Sequence, residues 1–200
     1  MSFKSSLYIL LLFISALSLN AFACEKNESY VIGVQSIDYS PHYNFIEQGA
    51  PSYFSLFLNW LEQKTSCKFS VKVLPIKRLN YSKNSQYSLD FIYPDNSTWH
   101  IENSDDRFYS DPIITAMTGM MVRPKEQKMP LEHFKVLAIT RGFTPTQWLS
   151  LAPKHQIKFQ ETFNALASLK MVIYNRADGA DVEFNVANYL TKKINFHRWF

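Results

Sequence analysis

Glycine is scarce in this chain, five in 200 residues, and cysteine occurs only twice. So few glycines leave no Gly-rich loop to cradle a phosphate, and no nucleophile-elbow motif is present. The five histidines, His42, His100, His133, His155 and His197, are scattered. None stands at a metal-ligand spacing from Cys, Asp or Glu, so no metal and no cofactor is expected. Charge of one sign is also lacking: no basic stripe or long charge run points to a nucleic-acid partner. No internal repeat stands out. Long apolar runs are missing beyond the first residues, so no membrane insertion of the mature chain is expected.

That first run is informative. Lys4 precedes the largely apolar stretch Leu7–Leu19, and Ala21-Phe22-Ala23 supplies small residues for cleavage. The stretch is too short to span a bilayer and reads as a secretory signal covering 1–23. Its removal takes away Lys4, so 21 basic residues become 20 against 17 acidic, a net charge of +3. The mature chain is expected in the periplasm or secreted. Cys24 follows the cleavage point and raises a lipoprotein alternative, although Phe22 is bulky for that signal. Two cysteines in an exported chain suggest one disulfide, Cys24–Cys67. Each precedes a strand-like run, Tyr30–Gln35 and Phe69–Leu74. If those strands are parallel neighbours, both cysteines lie at one edge of the sheet. Acylation of Cys24 and this bridge exclude each other.

Aromatics are plentiful, at 16%. The stretch 89–122 has two apolar runs, Leu89–Tyr93 and Ile113–Val122, separated by a polar loop carrying Trp99 and Arg107. A loop longer than a connection needs is often functional. Before it, Tyr30–Gln35 predicts a strand and Ser36–Gly49 a loop with Tyr39. Ser52–Thr65 predicts a helix with Ser52 as N-cap and an apolar face of Phe54, Phe57, Leu58 and Leu61. Phe69–Leu74 predicts a strand, and Lys77–Ser85 a short helix. Arg123–Glu132 is rich in Pro and charge and reads as a hinge. A second alternation follows: strand Phe134–Thr140, helix Thr144–Leu151, strand Ile157–Gln160, helix Glu161–Ser168, strand Lys170–Tyr174 and helix Asp181–Lys193. Alternating strands and helices give an α/β fold of two βα lobes: 24–122, a hinge at 123–132, and 133–200. Such lobes close on a small molecule.

Five phrases carry a resemblance: Asp38-Tyr39-Ser40-Pro41, Leu74-Pro75-Ile76-Lys77-Arg78, Tyr109-Ser110-Asp111-Pro112, Thr140-Arg141-Gly142-Phe143-Thr144, and Arg176-Ala177-Asp178 with Glu183 beyond. In this order the chain resembles the extracytoplasmic solute-binding proteins of family 3, the polar-amino-acid type with the type II periplasmic-binding fold. The resemblance implies that Tyr39 stacks on a ligand and that the amides of Gly142, Phe143 and Thr144 face a carboxylate. It implies that Glu183 holds an ammonium group; the bland alternative for Glu183 is a solvated helix residue. It also implies a non-enzymatic binding protein that delivers a small molecule to a membrane transporter, typically of the ABC kind, or to a sensor.

Two departures qualify it. The family's carboxylate-clamping Arg stands about seven residues before the Ser-x-Pro segment, where this chain has Asn103. Arg107 and Arg78 are the nearby substitutes, and Trp99 offers an aromatic face for a ring, a sugar or a cation. The family's chain also returns from the second lobe to the first, whereas this sequence stops at Phe200. The second lobe and the return crossing are therefore expected to be incomplete, with exposed apolar surface. Two alternatives stay open: an enzyme of dehydratase or lytic type on the same fold, with Glu183 as acid or base, and a truncated copy without ligand binding.

Overall fold

The computed structural model describes residues 24, 28–47, 51–80, 88–99 and 107–193. The signal at 1–23 lies outside them, as do 81–85 of the expected helix Lys77–Ser85.

The first sheet is built around β1 (Ser29–Gln35), whose Ile32 and Val34 are buried. After it, β2 (Asp38–Tyr39) and β3 (Tyr43–Asn44) form a small antiparallel ribbon with Tyr39 opposite Tyr43. Helix α1 (Tyr53–Thr65) follows, and Phe54 on it packs with Ile32, Val34, Tyr43 and Tyr93. Ser52 caps it in a reciprocal box: its Oγ accepts from Ser55 N–H, and its own N–H donates to Ser55 Oγ. Ser52→Ala is expected to lower stability by about 1 kcal/mol, and a urea melt would check this.

Strand β4 (Lys68–Leu74) leads into the short α2 (Ile76–Asn80), and β5 (Phe91–Tyr93) completes the sheet. The order is β4-β1-β5, all parallel, as two strand–helix–strand steps require. Ser29 pairs with Lys68 at the start of the β1–β4 ladder, and one residue earlier Cys67 is bridged to Cys24 with Cα atoms 5.4 Å apart. The parallel pairing places both cysteines at one sheet edge. Val71, Val73 and Phe91 are exposed on this sheet, and Leu56 and Trp60 are exposed on α1.

The second sheet has the order β6-β9-β7-β8. Its strands are β6 (Thr118–Met121), β7 (Val136–Thr140), β8 (Lys158–Thr162) and β9 (Gly179–Glu183). Strand β7 runs parallel to β8 and β9, whereas β6 is antiparallel to β9. Helices α3 (Trp148–His155), α4 (Ala165–Ile173) and α5 (Phe184–Lys193) cover it. One core joins Leu169 and Val172 of α4 to Ala180 and Val182 of β9 and Val186 of α5. Among the described residues no helix is long and apolar enough to cross a membrane.

The apolar run Ile113–Val122 does not extend the first lobe. Its strand, β6, belongs to the second sheet, so the chain changes lobes between Tyr93 and Thr118, earlier than 123–132. Residues 123–132 are no free hinge. Arg123 donates to the carbonyls of Val172 (2.8 Å) and Ala177 (3.1 Å) and pairs with Glu126 at 2.8 Å. Short 3-10 turns, Pro124–Glu126 and Leu131–His133, hold this segment against the second lobe. Its polar composition mimicked a linker because its hydrogen bonds go to distant carbonyls.

The sequence also shifted the elements that follow. Lys170–Tyr174 largely completes α4 rather than forming a strand, because the N-cap is Asn164, whose side chain accepts from Ala167 N–H. Asp181–Glu183 end β9 instead of opening a helix. Helix α3 starts at Trp148, four residues after the expected Thr144 cap, because Thr146 and Gln147 form a turn closed by Trp148 N–H on the Pro145 carbonyl at 2.8 Å.

Candidate ligand cleft

The carboxyl ends of β1, β5, β7 and β9 face a common crevice, the usual location of a ligand on a parallel sheet. The first lobe supplies the β2–β3 ribbon with Tyr39, His42 and Tyr43, and the residues after β5, Tyr93 to Asp95, together with Trp99 and Arg107. The second supplies the turn after β7, from Thr140 to Gln147, with Asp181 and Glu183 on β9. Together they enclose a cavity of about 210 Å³. Of the eight residues proposed from sequence for ligand contact, seven line it: Tyr39, Trp99, Arg107, Gly142, Phe143, Thr144 and Glu183. Arg78 is exposed on α2 and does not.

The lobes touch across this crevice. Tyr39 and Phe143 have ring centroids 4.9 Å apart. Thr144 Oγ1 donates to the Trp99 carbonyl at 3.1 Å. Gly142 has φ +83°, and a Cβ built there would lie 2.9 Å from Ile76 Cγ1 of the opposite lobe. A side chain at this position meets both a left-handed backbone and a facing residue. Gly142→Ala is therefore expected to cost more than about 1 kcal/mol and to loosen the lobe contact, as a fall in melting temperature would show.

The charged groups are engaged. Glu183 is buried, with 1% of its surface exposed. Its Oε2 accepts from Val186 N–H at 2.9 Å, capping the first turn of α5, and meets His42 Nε2 at 2.8 Å. Its Oε1 accepts from Asn185 Nδ2 at 2.9 Å. The solvated-helix alternative is thus overturned: Glu183 sits at a strand end among three donors, one of them from the other lobe. His42, set aside in the sequence as an isolated histidine, is the partner that sequence reasoning missed. Arg107 Nη1 is 2.6 Å from Asp95 Oδ2, and both side chains are nearly buried. The amides proposed to face a carboxylate are partly committed too, since Phe143 N–H donates to the Thr140 carbonyl at 3.1 Å.

Burial sets the remaining ionisations. Desolvation pushes the Tyr39 hydroxyl well above its ordinary value, with nearby Glu183 and Asp181 adding to the shift and a backbone hydrogen bond at Glu183 opposing it. Desolvation also raises Tyr43, and lifts Tyr93 to about 12. These phenols stay neutral. Asp181 is raised by desolvation, with the Gln147 amide and the Trp148 indole partly offsetting this. Gln147 Nε2 donates to Asp181 Oδ1 at 3.2 Å. Among the described residues, no three His, Cys, Asp or Glu side chains gather as a metal site.

The architecture is that of the type II periplasmic-binding fold. An ancestral arginine-binding protein bound to arginine matches with a TM-score of 0.63 and 17% identity, over 84% of this chain and 76% of that one. The VFT2 domain of BvgS from Bordetella pertussis, in a double-mutant form, matches with a TM-score of 0.61 and 16% identity, over 83% of this chain and 70% of that one. An arginine 3rd transport system periplasmic binding protein from Legionella pneumophila gives a TM-score of 0.61 and 11% identity, over 82% and 72%. No protein-family profile matches the chain, and no curated protein matches it in sequence. At these identities the likeness is one of fold.

Proposed function

We propose that the chain is an exported solute-binding protein of the family 3 kind, which holds one small molecule between its lobes and presents it to a membrane transporter or a sensor. One observation carries this reading: a cavity of about 210 Å³ lies at the carboxyl ends of both sheets and is lined from both lobes. A site shared in this way couples occupancy to lobe closure, because a ligand touching both halves binds only the closed arrangement tightly. The solved structures of similar fold, two arginine-binding proteins and a BvgS VFT2 domain, support a binding role. The size suits a compact ligand, since an apolar cavity of about 150 Å³ already holds benzene.

The test is a thermal-shift screen of the mature protein against small amines, amino acids, carboxylates and sugars. A ligand at a hundred times its Kd adds about 2.7 kcal/mol of stability, several degrees in melting temperature. No shift with any compound would overturn the proposal. Turnover of a bound compound would replace it with an enzyme on the same fold.

A further inference from the structure

Binding proteins for amino acids must answer two opposite charges, a carboxylate and an ammonium, and the lining of this cleft is unbalanced between them. Its described cationic group, Arg107, already lies 2.6 Å from Asp95. A guanidinium already paired with an internal carboxylate is a poor clamp for a second one. The substitute, Arg78, is outside the lining. Among the described residues, three carboxylates line the cleft: Asp95, Asp181 and Glu183. Asp95 is answered by Arg107, and Glu183 is surrounded by His42, Asn185 and the Val186 amide. Asp181 differs. It accepts from a neutral amide, Gln147 at 3.2 Å, and the other group beside it, the Trp148 indole, is also neutral. Hydrogen bonds from neutral groups orient a carboxylate but leave its charge in place.

The net charge of the lining follows. With Asp181 ionised, as it would be opposite a bound cation, three carboxylates against Arg107 give −2 with His42 neutral and −1 with His42 protonated, so the described lining that a cation meets is anionic in either state. Around it stand aromatic faces, Tyr39, Tyr43, Tyr93, Trp99 and Phe143. Such faces attract cations through their ring quadrupoles and exclude water from the pair. Resting on the solute-binding reading above, we propose that the cleft selects an organic cation without a carboxylate, a primary or quaternary amine on a compact apolar body, and that Asp181 rather than Glu183 anchors its charge. Burial disfavours the ionised form of Asp181 in the empty cleft, and a bound ammonium is the group that would restore it.

Paired probes test this by calorimetry on the mature protein. Phenethylamine and choline serve as the cations, and L-phenylalanine and glycine betaine as their carboxylate-bearing counterparts. The expected result is heat of binding and a raised melting temperature with an amine, and binding by the carboxylate-bearing probes at least tenfold weaker. Asp181→Asn should weaken the amine roughly tenfold to a hundredfold, whereas Asp181→Glu should retain part of the affinity. Preferential binding of a carboxylate-bearing probe, or an amine affinity unchanged in folded Asp181→Asn, overturns the inference and leaves the solute-binding reading standing. Silence from these probes and from the whole screen overturns both. The comparison between probes on the unaltered protein does not depend on how any variant folds.

Discussion

Replacing Cys24 and Cys67 together by Ser is expected to lower stability by about 4 kcal/mol. The two residues are 43 apart in sequence. In the chain-entropy account, a bridge closing a 15-residue loop contributes roughly 3 kcal/mol and one closing 100 residues about 4.7. This loop falls between them. Its location makes full recovery of that amount reasonable: the bridge joins the entries of β1 and β4, which already pair in parallel from Ser29 and Lys68 onward. Strand β4 is an edge strand, with Ser70 to Val73 all exposed. Few buried side chains hold it, so the covalent tie and the ladder to β1 bear most of the load. Urea melts of the double variant should show a lower midpoint, with β4 amides losing protection from hydrogen exchange before those of β7 and β9. Equal midpoints for the two proteins would show that the bridge does not constrain the unfolded chain. A mature mass carrying a lipid on Cys24 would remove the bridge altogether.

The two halves of the molecule differ in how much of them the sequence reveals, and the difference is physical. In the first lobe the signals are local. The spacing of Phe54, Phe57, Leu58 and Leu61, with Ser52 in front, defines α1, and the β-branched run in Tyr30–Gln35 defines β1. The cysteines report the parallel pairing because each stands just before a strand. In the second lobe the deciding contacts are long-range. Whether Thr118–Met121 belongs to one sheet or the other depends on its pairing with residues 180–183, 59 to 65 positions away. Nothing in the period of Ile113–Val122 records that choice. Lys170–Tyr174 reads as a strand by composition, yet Asn164 starts a helix upstream that runs through most of it. The site shows the same split. Tyr39, Gly142 and Glu183 were accessible because motif phrases mark them. His42 was not, since its partner lies 141 residues away and no local spacing links a histidine in one lobe to a carboxylate in the other. Asp181 was passed over because its residue type is ordinary, and only its half-buried place in the cleft lining distinguishes it.

Glu183→Leu is expected to destabilise the protein by about 3–5 kcal/mol, the usual cost of breaking a buried ion pair or strong polar pair from one side. Three donors would lose their acceptor at once: His42 Nε2, Asn185 Nδ2 and the Val186 amide. His42 is 8% exposed, so water cannot readily replace the lost partner. Glu183→Gln keeps the shape and one acceptor oxygen, and should cost less. The position of the pair separates its two roles. The Val186 and Asn185 bonds lie within the second lobe, whereas the His42 bond crosses the cleft. Loss of the first two should appear as a lower melting temperature, and loss of the third as a wider molecule with little change in secondary structure. His42→Ala isolates the crossing bond. Small-angle scattering of that variant should show a larger radius of gyration, and a double-mutant cycle with Glu183→Gln should return a coupling that neither single change explains. If the radius is unchanged, Tyr39 against Phe143 and Thr144 on the Trp99 carbonyl suffice to hold the lobes together. Glu183 would then act as the cap of α5 alone. In either case the carboxylate is committed to the protein, which is why the charge available to a ligand falls to Asp181.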